Sequence, residues 1–64
     1  MPDRRFTAEE KLECLRRELR ERRRVYPRRV EAGKMSQPFA DQQIALMVAI
    51  VEEYEQIAQA ERLI

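Results

Sequence analysis

Helix breakers are scarce in this chain. Gly33 is its sole glycine, and from Pro38 to Ile64 neither proline nor glycine recurs. Ala, Leu, Arg, Glu, Gln, Met and Lys fill most positions, and these are the strongest helix formers. The sequence therefore predicts an all-α protein, and its 64 residues allow one small domain at most. A chain this short hides only ~60% of its unfolded surface on folding, so its own core is marginal.

Start and stop signals divide the domain, residues 1–64, into a helical hairpin. Thr7 with Glu10 three residues on forms a capping box, and Glu9 and Glu10 suit the positive end of the helix dipole. Helix 1 is expected from Ala8 to about Val25. Pro27 disfavours α geometry at Tyr26 and removes an N–H, so a kink or stop is predicted there. A short helical turn over Pro27–Ala32 would end at Gly33, a residue suited to left-handed geometry. Ser36 caps a second helix over about Gln37–Ile64, with Pro38 tolerated in its first turn. At ~1.5 Å per residue that helix would reach ~40 Å.

Apolar spacing tells how the helices bury. Helix 1 carries Ala8, Leu12, Leu15, Leu19 and, past Arg22 and Arg23, Tyr26. That is a narrow coiled-coil type of seam, with the two arginines expected to snorkel beside it. Helix 2 carries two stripes, Ala40–Ile44–Met47–Val51–Tyr54–Ala58 and Phe39–Leu46–Ile50–Ile57–Ile64. Their centres lie about 100° apart on a helical wheel. One thin, charged partner helix cannot cover so wide an arc. The expectation is a homodimer of hairpins, a four-helix bundle whose core and dimer residues are Leu12, Leu15, Leu19, Ile44, Leu46, Met47, Ile50, Val51, Tyr54 and Ile57.

Charge is uneven along the chain. Residues 1–35 hold 12 Lys/Arg and 7 Asp/Glu, a net of +5, whereas residues 36–64 hold 1 and 5, a net of −4. Antiparallel packing would bring unlike charges together at the rim. Eight arginines lie between positions 16 and 29, against Glu18 and Glu21. Arg16, Arg20, Arg23 and Arg24 fall along one helical flank. Such a flank is a solvated face laced by pairs like Glu13–Arg17 and Glu18–Arg22, an anchor for a protein partner, or a surface that neutralises phosphates. Near the predicted hairpin tip, Tyr26, Arg28 and Arg29 add an aromatic and two cations. Arg20, Arg23, Arg24, Tyr26, Arg28 and Arg29 are the candidate partner-binding residues.

Several classes are set aside. Cys14 is alone and the chain has no His, so no disulfide framework, ordinary zinc site or Cys–His dyad can be assembled. No glycine-rich phosphate loop is present, and Glu52, Glu53 and Glu55 read as a surface acidic patch. No enzyme and no cofactor is expected. The longest apolar run, Ile44 to Val51, has eight residues, against the ~20 that span a bilayer. The N-terminus lacks the apolar stretch of a secretory signal, so a cytoplasmic location without membrane contact is expected.

The string from Arg24 to Gln37, R-V-Y-P-R-R-V-E-A-G-K-M-S-Q, followed by Ala40, Asp41, Ile44, Met47, Ala49 and Ile50, resembles a set of short proteins encoded in phages and prophages of proteobacteria. Small helical phage proteins of this kind often bind and disable a host regulator or defence component; quorum-sensing anti-activators are one example. The resemblance implies a phage-type interaction module that inhibits a cytoplasmic host protein. It carries no functional residues over. The alternative from the residues themselves is a nucleic-acid-associated accessory protein using the arginine flank.

Overall fold

In the computed structural model, which describes residues 5–63, two helices pack side by side as an antiparallel hairpin: α1, Ala8–Glu31, and α2, Gln37–Arg62. The molecule is a rod of 47 × 20 × 17 Å, two helices wide.

Both helices begin as their caps dictate. The Glu10 N–H donates to Thr7 Oγ1 at 3.1 Å, and the Thr7 N–H donates to Glu10 Oε1 at 3.3 Å. The Phe39 N–H donates to Ser36 Oγ at 3.3 Å, and Gln37 donates to Asp41 one turn on. Each bond satisfies or supports an N-terminal group that has no partner within its helix. Ile64, the last residue of the second predicted stripe, lies outside the described residues.

The predicted break at Val25–Pro27 is corrected. α1 runs through Pro27 to Glu31 without interruption, and the separate turn over Pro27–Ala32 is its last turn. The physical reason lies at the far end. Gly33 takes φ +74°, its N–H donates to the Val30 carbonyl at 3.0 Å, and the Lys34 N–H donates to the Arg29 carbonyl at 2.9 Å. This is the Schellman arrangement, which ends a helix by reusing its last free carbonyls. Tyr26 and Val30, on either side of the proline, are half-buried. Pro27 removes one donor to the Arg23 carbonyl, but packing and the terminal bonds hold the turn around it.

The core lies along the seam. Ala8, Leu12 and Leu19 of α1 meet Met47, Val51 and Ala58 of α2, with Leu15, Ile44, Val48 and Tyr54 packed half-buried against them. Ala40 is buried as well, and Leu12 keeps only 2% of its surface exposed. On both helices the inward positions step by three and four, the heptad rhythm of a coiled coil. Of the residues expected in the core or the dimer contact, Leu12, Leu19, Met47 and Val51 are buried, and Leu15, Ile44 and Tyr54 are half-buried.

Two stability effects follow. Pro27→Ala restores a donor inside a continuous helix and should stabilise the fold by ~1–3 kcal/mol in urea unfolding. At Gly33 an added Cβ would meet nothing within 4 Å, so only the backbone resists substitution. Gly33→Ala should cost ~1 kcal/mol or more, and Gly33→Asn distinctly less, because Asn tolerates left-handed geometry. Equal melting temperatures for the two variants would contradict this account.

Candidate protein-interaction surface

The heptad rhythm continues past the apolar residues, and polar side chains, two of them charged, carry it on. On α1 the seam steps from Leu15 and Leu19 to Arg22 and Tyr26; on α2 it steps from Tyr54 and Ala58 to Glu61. Arg22 points into the hairpin. Its Nη1 donates to the Gln43 carbonyl of α2 at 2.9 Å, its Nε donates to Glu18 at 3.2 Å, and its guanidinium sits 5.9 Å from the Tyr26 ring. Its side chain is 21% exposed. Glu61 answers at the open end, where Oε2 accepts the Ala8 N–H at 3.2 Å. The second bond matters because Ala8 begins α1 and its N–H has no helical partner. The sequence predicts that Arg22 snorkels beside the seam; its guanidinium instead turns across to the Gln43 carbonyl of α2. Arg23 is exposed.

The rim behaves as the charge asymmetry implied. Arg16 donates to Glu55 at 3.1 Å, and Arg62 lies 3.8 Å from Glu9. These cross-helix pairs join unlike charges and are exposed, so each adds at most ~1 kcal/mol. They mark register more than they stabilise it.

Three regions remain available to a partner. The first is the second stripe of α2. Phe39 is 50% exposed, Leu46 50%, Ile50 38% and Ile57 46%. α1 is too narrow to reach them, and on a helical wheel they sit about 100° from the buried seam. Leu46, Ile50 and Ile57, expected in the core or dimer contact, are therefore outside the core of the single hairpin. The second region is the outer face of α1. Arg20 lies 3.9 Å from Glu13, and Arg24 pairs with Glu21. Glu13 thus turns to Arg20, not to Arg17 as its spacing suggested. Among the described residues, Arg17, Arg23, Arg28 and Arg29 are exposed with no carboxylate within ion-pair reach. The third is the connection itself, Ala32 to Ser36, where Met35 is half-buried and its neighbours are exposed.

The candidate residues do not form one patch. Arg28 and Arg29 stand in the last turn of α1, close to the connection. Tyr26 lies a turn earlier, half-buried beneath Arg22, and so serves packing as well as any contact. Arg20, Arg23 and Arg24 lie along one flank of α1, further from the connection, and Arg20 and Arg24 already have carboxylate partners. Sequence reasoning missed the cross-helix roles of Arg22 and Glu61. The signal was present in the unbroken three–four step, which the change from apolar to charged residues hid.

No described helix is long and apolar enough to cross a membrane. Among the described residues, no group of three His, Cys, Asp or Glu side chains gathers as a metal site would. No protein-family model, no curated protein and no solved structure matches the chain.

The seam arginine makes a sharp comparison with its neighbour. Arg22→Ala removes a charged hydrogen bond to a backbone carbonyl together with packed stem carbons, and should cost ~1.5–3 kcal/mol. Arg23→Ala should stay within ~0.5 kcal/mol of the parent, as for other surface changes. Denaturant unfolding of the two variants checks the difference.

Proposed function

We propose that the protein is a non-enzymatic interaction module: it self-associates through α2 into a four-helix bundle and binds a second protein through the arginine-bearing surface of α1. The observation that carries this reading is the row Phe39, Leu46, Ile50 and Ile57, four large apolar side chains left 38–50% exposed on one face of a 7.7 kDa chain. Scattered exposed hydrophobics are ordinary; four on one helix face at heptad spacing, interrupted by Gln43 and Glu53, mark a contact face. Covering it with a second hairpin gives the apolar arc of α2 a partner on both sides.

The second partner is a protein in this reading. Exposed arginine is favoured at protein interfaces, and Arg28 and Arg29 stand exposed in the last turn of α1. The narrower expectation, a host regulator or defence component bound by a phage-type inhibitor in the cytoplasm, rests on the resemblance carried by residues 24–50. One observation favours nucleic acid as a second reading: Arg17, Arg23, Arg28 and Arg29 have no carboxylate within ion-pair reach among the described residues. Against it stand the pairing of Arg16, Arg20, Arg22 and Arg24 with glutamates and a net charge of +1.

Light scattering at micromolar concentration should give about twice the 7.7 kDa chain mass. Ile50→Glu should lower that mass toward one chain, because it sets a charge inside the contact. Immobilised protein should retain one stoichiometric protein from nuclease-treated bacterial lysate at physiological salt, and Arg28→Ala/Arg29→Ala should reduce the yield. Labelled duplex DNA should not bind under those conditions. A phosphate-driven complex would instead weaken ~10³-fold or more between 50 and 200 mM salt if six or more phosphates are neutralised. Submicromolar duplex binding with that slope would replace the protein reading by the nucleic-acid one.

A further inference from the structure

We propose that the exposed stripe of α2 pairs with the same stripe of a second copy in antiparallel orientation, with the two-fold axis level with position 48, so that Phe39 meets Ile57 of the copy and Leu46 meets Ile50 of the copy. This deepens the self-association proposed above and rests on it. The spacing of the stripe is its warrant. Phe39 and Ile57 stand nine residues either side of position 48, and Leu46 and Ile50 stand two either side. A two-fold interface must be self-complementary, and a row symmetric about its own centre meets that requirement when the helix is laid against itself in reverse.

The polar residues in the same row choose between orientations. Between the apolar positions the heptad runs through Gln43 and Glu53, five residues either side of position 48. In the antiparallel pair each seam layer joins the two heptad positions, so Gln43 falls level with Glu53 of the copy and its amide can donate to that carboxylate. In a parallel pair each position meets itself. Glu53 would then face Glu53 within an apolar contact, a like-charge pair that disfavours the arrangement. Sliding the antiparallel pair by one heptad sets Leu46 against Gln43 in one direction and Ile50 against Glu53 in the other. Of these registers, the centred one matches Phe39 with Ile57, Leu46 with Ile50 and Gln43 with Glu53.

Charge elsewhere on α2 leaves this face open. Asp41, Glu52 and Glu55 project from the opposite flank of the helix, where Glu55 holds Arg16. Glu61, on the near flank, is engaged with the Ala8 N–H. The acidic character of α2 therefore weighs little on a contact between two copies of it.

Thiol crosslinking tests the register. In a Cys14→Ser background, Phe39→Cys and Ile57→Cys chains are mixed, allowed to exchange and oxidised. A disulfide needs Cα atoms within ~7 Å, whereas the two positions 39 of an antiparallel pair stand ~27 Å apart along the helices. The expected result is ~10-fold or more crosslinked dimer in the mixture than in either variant alone. Gln43→Cys mixed with Glu53→Cys provides a second pair at milder positions and should behave the same way. Crosslinking of Phe39→Cys with itself, while light scattering shows a dimer, would overturn the antiparallel register and leave self-association standing. A parent protein with the mass of one chain would overturn both.

Discussion

The structure depends on one seam, the antiparallel contact in which positions stepping by three and four on α1 meet the same rhythm on α2. Nothing else in so small a chain can hold two helices together. α1 is mostly charged, and in isolation a helix of its length is marginal in water. Leu12, Leu19, Met47, Val51 and Ala58 supply the apolar contact. The seam then continues beyond them by a different chemistry. Arg22 is turned inward and Glu61 lies exposed at the edge of the seam, and each binds a backbone group of the opposite helix. A methylene or a leucine there would add apolar burial but would accept sliding by a turn. A charged side chain bonded to one particular carbonyl or N–H does not, since a shifted helix would leave it facing the wrong group. Polar contacts at both ends thus set the register that the apolar residues in the middle stabilise.

That division of labour explains the shape of α2. Its inward row is fully used by α1, and its second row is not. A helix apolar over so wide an arc and exposed over part of it is poorly suited to life as half of a lone hairpin. α1 shows the opposite design, with a single narrow seam and charge on every other face. The two helices are therefore unequal partners: α1 covers one side of α2, and the second apolar row of α2 stays exposed.

Much of this was legible in the residues. The capping box at Thr7, the Ser36 cap, Gly33 as the end of a helix and the antiparallel charge match all follow from short-range chemistry, and each is present. Pro27 misled because its local penalty is real but finite. A proline near the end of a helix removes one hydrogen bond, and the half-buried Tyr26 and Val30, with the bonds to Val30 and Arg29 that close the turn at Gly33, outweigh it. Local propensity cannot register contributions that come from packing. Arg22 and Glu61 were hidden for a related reason. Helical periodicity is read from apolar residues, so a seam that continues in charged residues looks broken. The candidate surface was legible as a pattern, the second stripe and the arginine cluster. Spacing gave the Glu18–Arg22 pair but not the others, because Glu13 reaches Arg20 two turns away and Glu55 reaches Arg16 from the other helix.

Pairing through α2 would also change what α1 presents. With both α2 helices inside the contact, each α1 keeps its outward face, and two copies of Arg28 and Arg29 stand at opposite ends of the assembly, because the helices run in opposite directions. A partner bound at one end would leave the other end open. Two partner molecules, or two sites on a partner long enough to span the rod, could then engage at once. Linked engagement of that kind can raise apparent affinity by ~10²–10⁴ without any new contact, provided the geometry lets both ends bind together. The rod is 47 Å long, so a partner with one small site would gain nothing from the second end. Were two copies to pair in this way, symmetry would give the chain a larger binding surface than one hairpin presents, without any added residue.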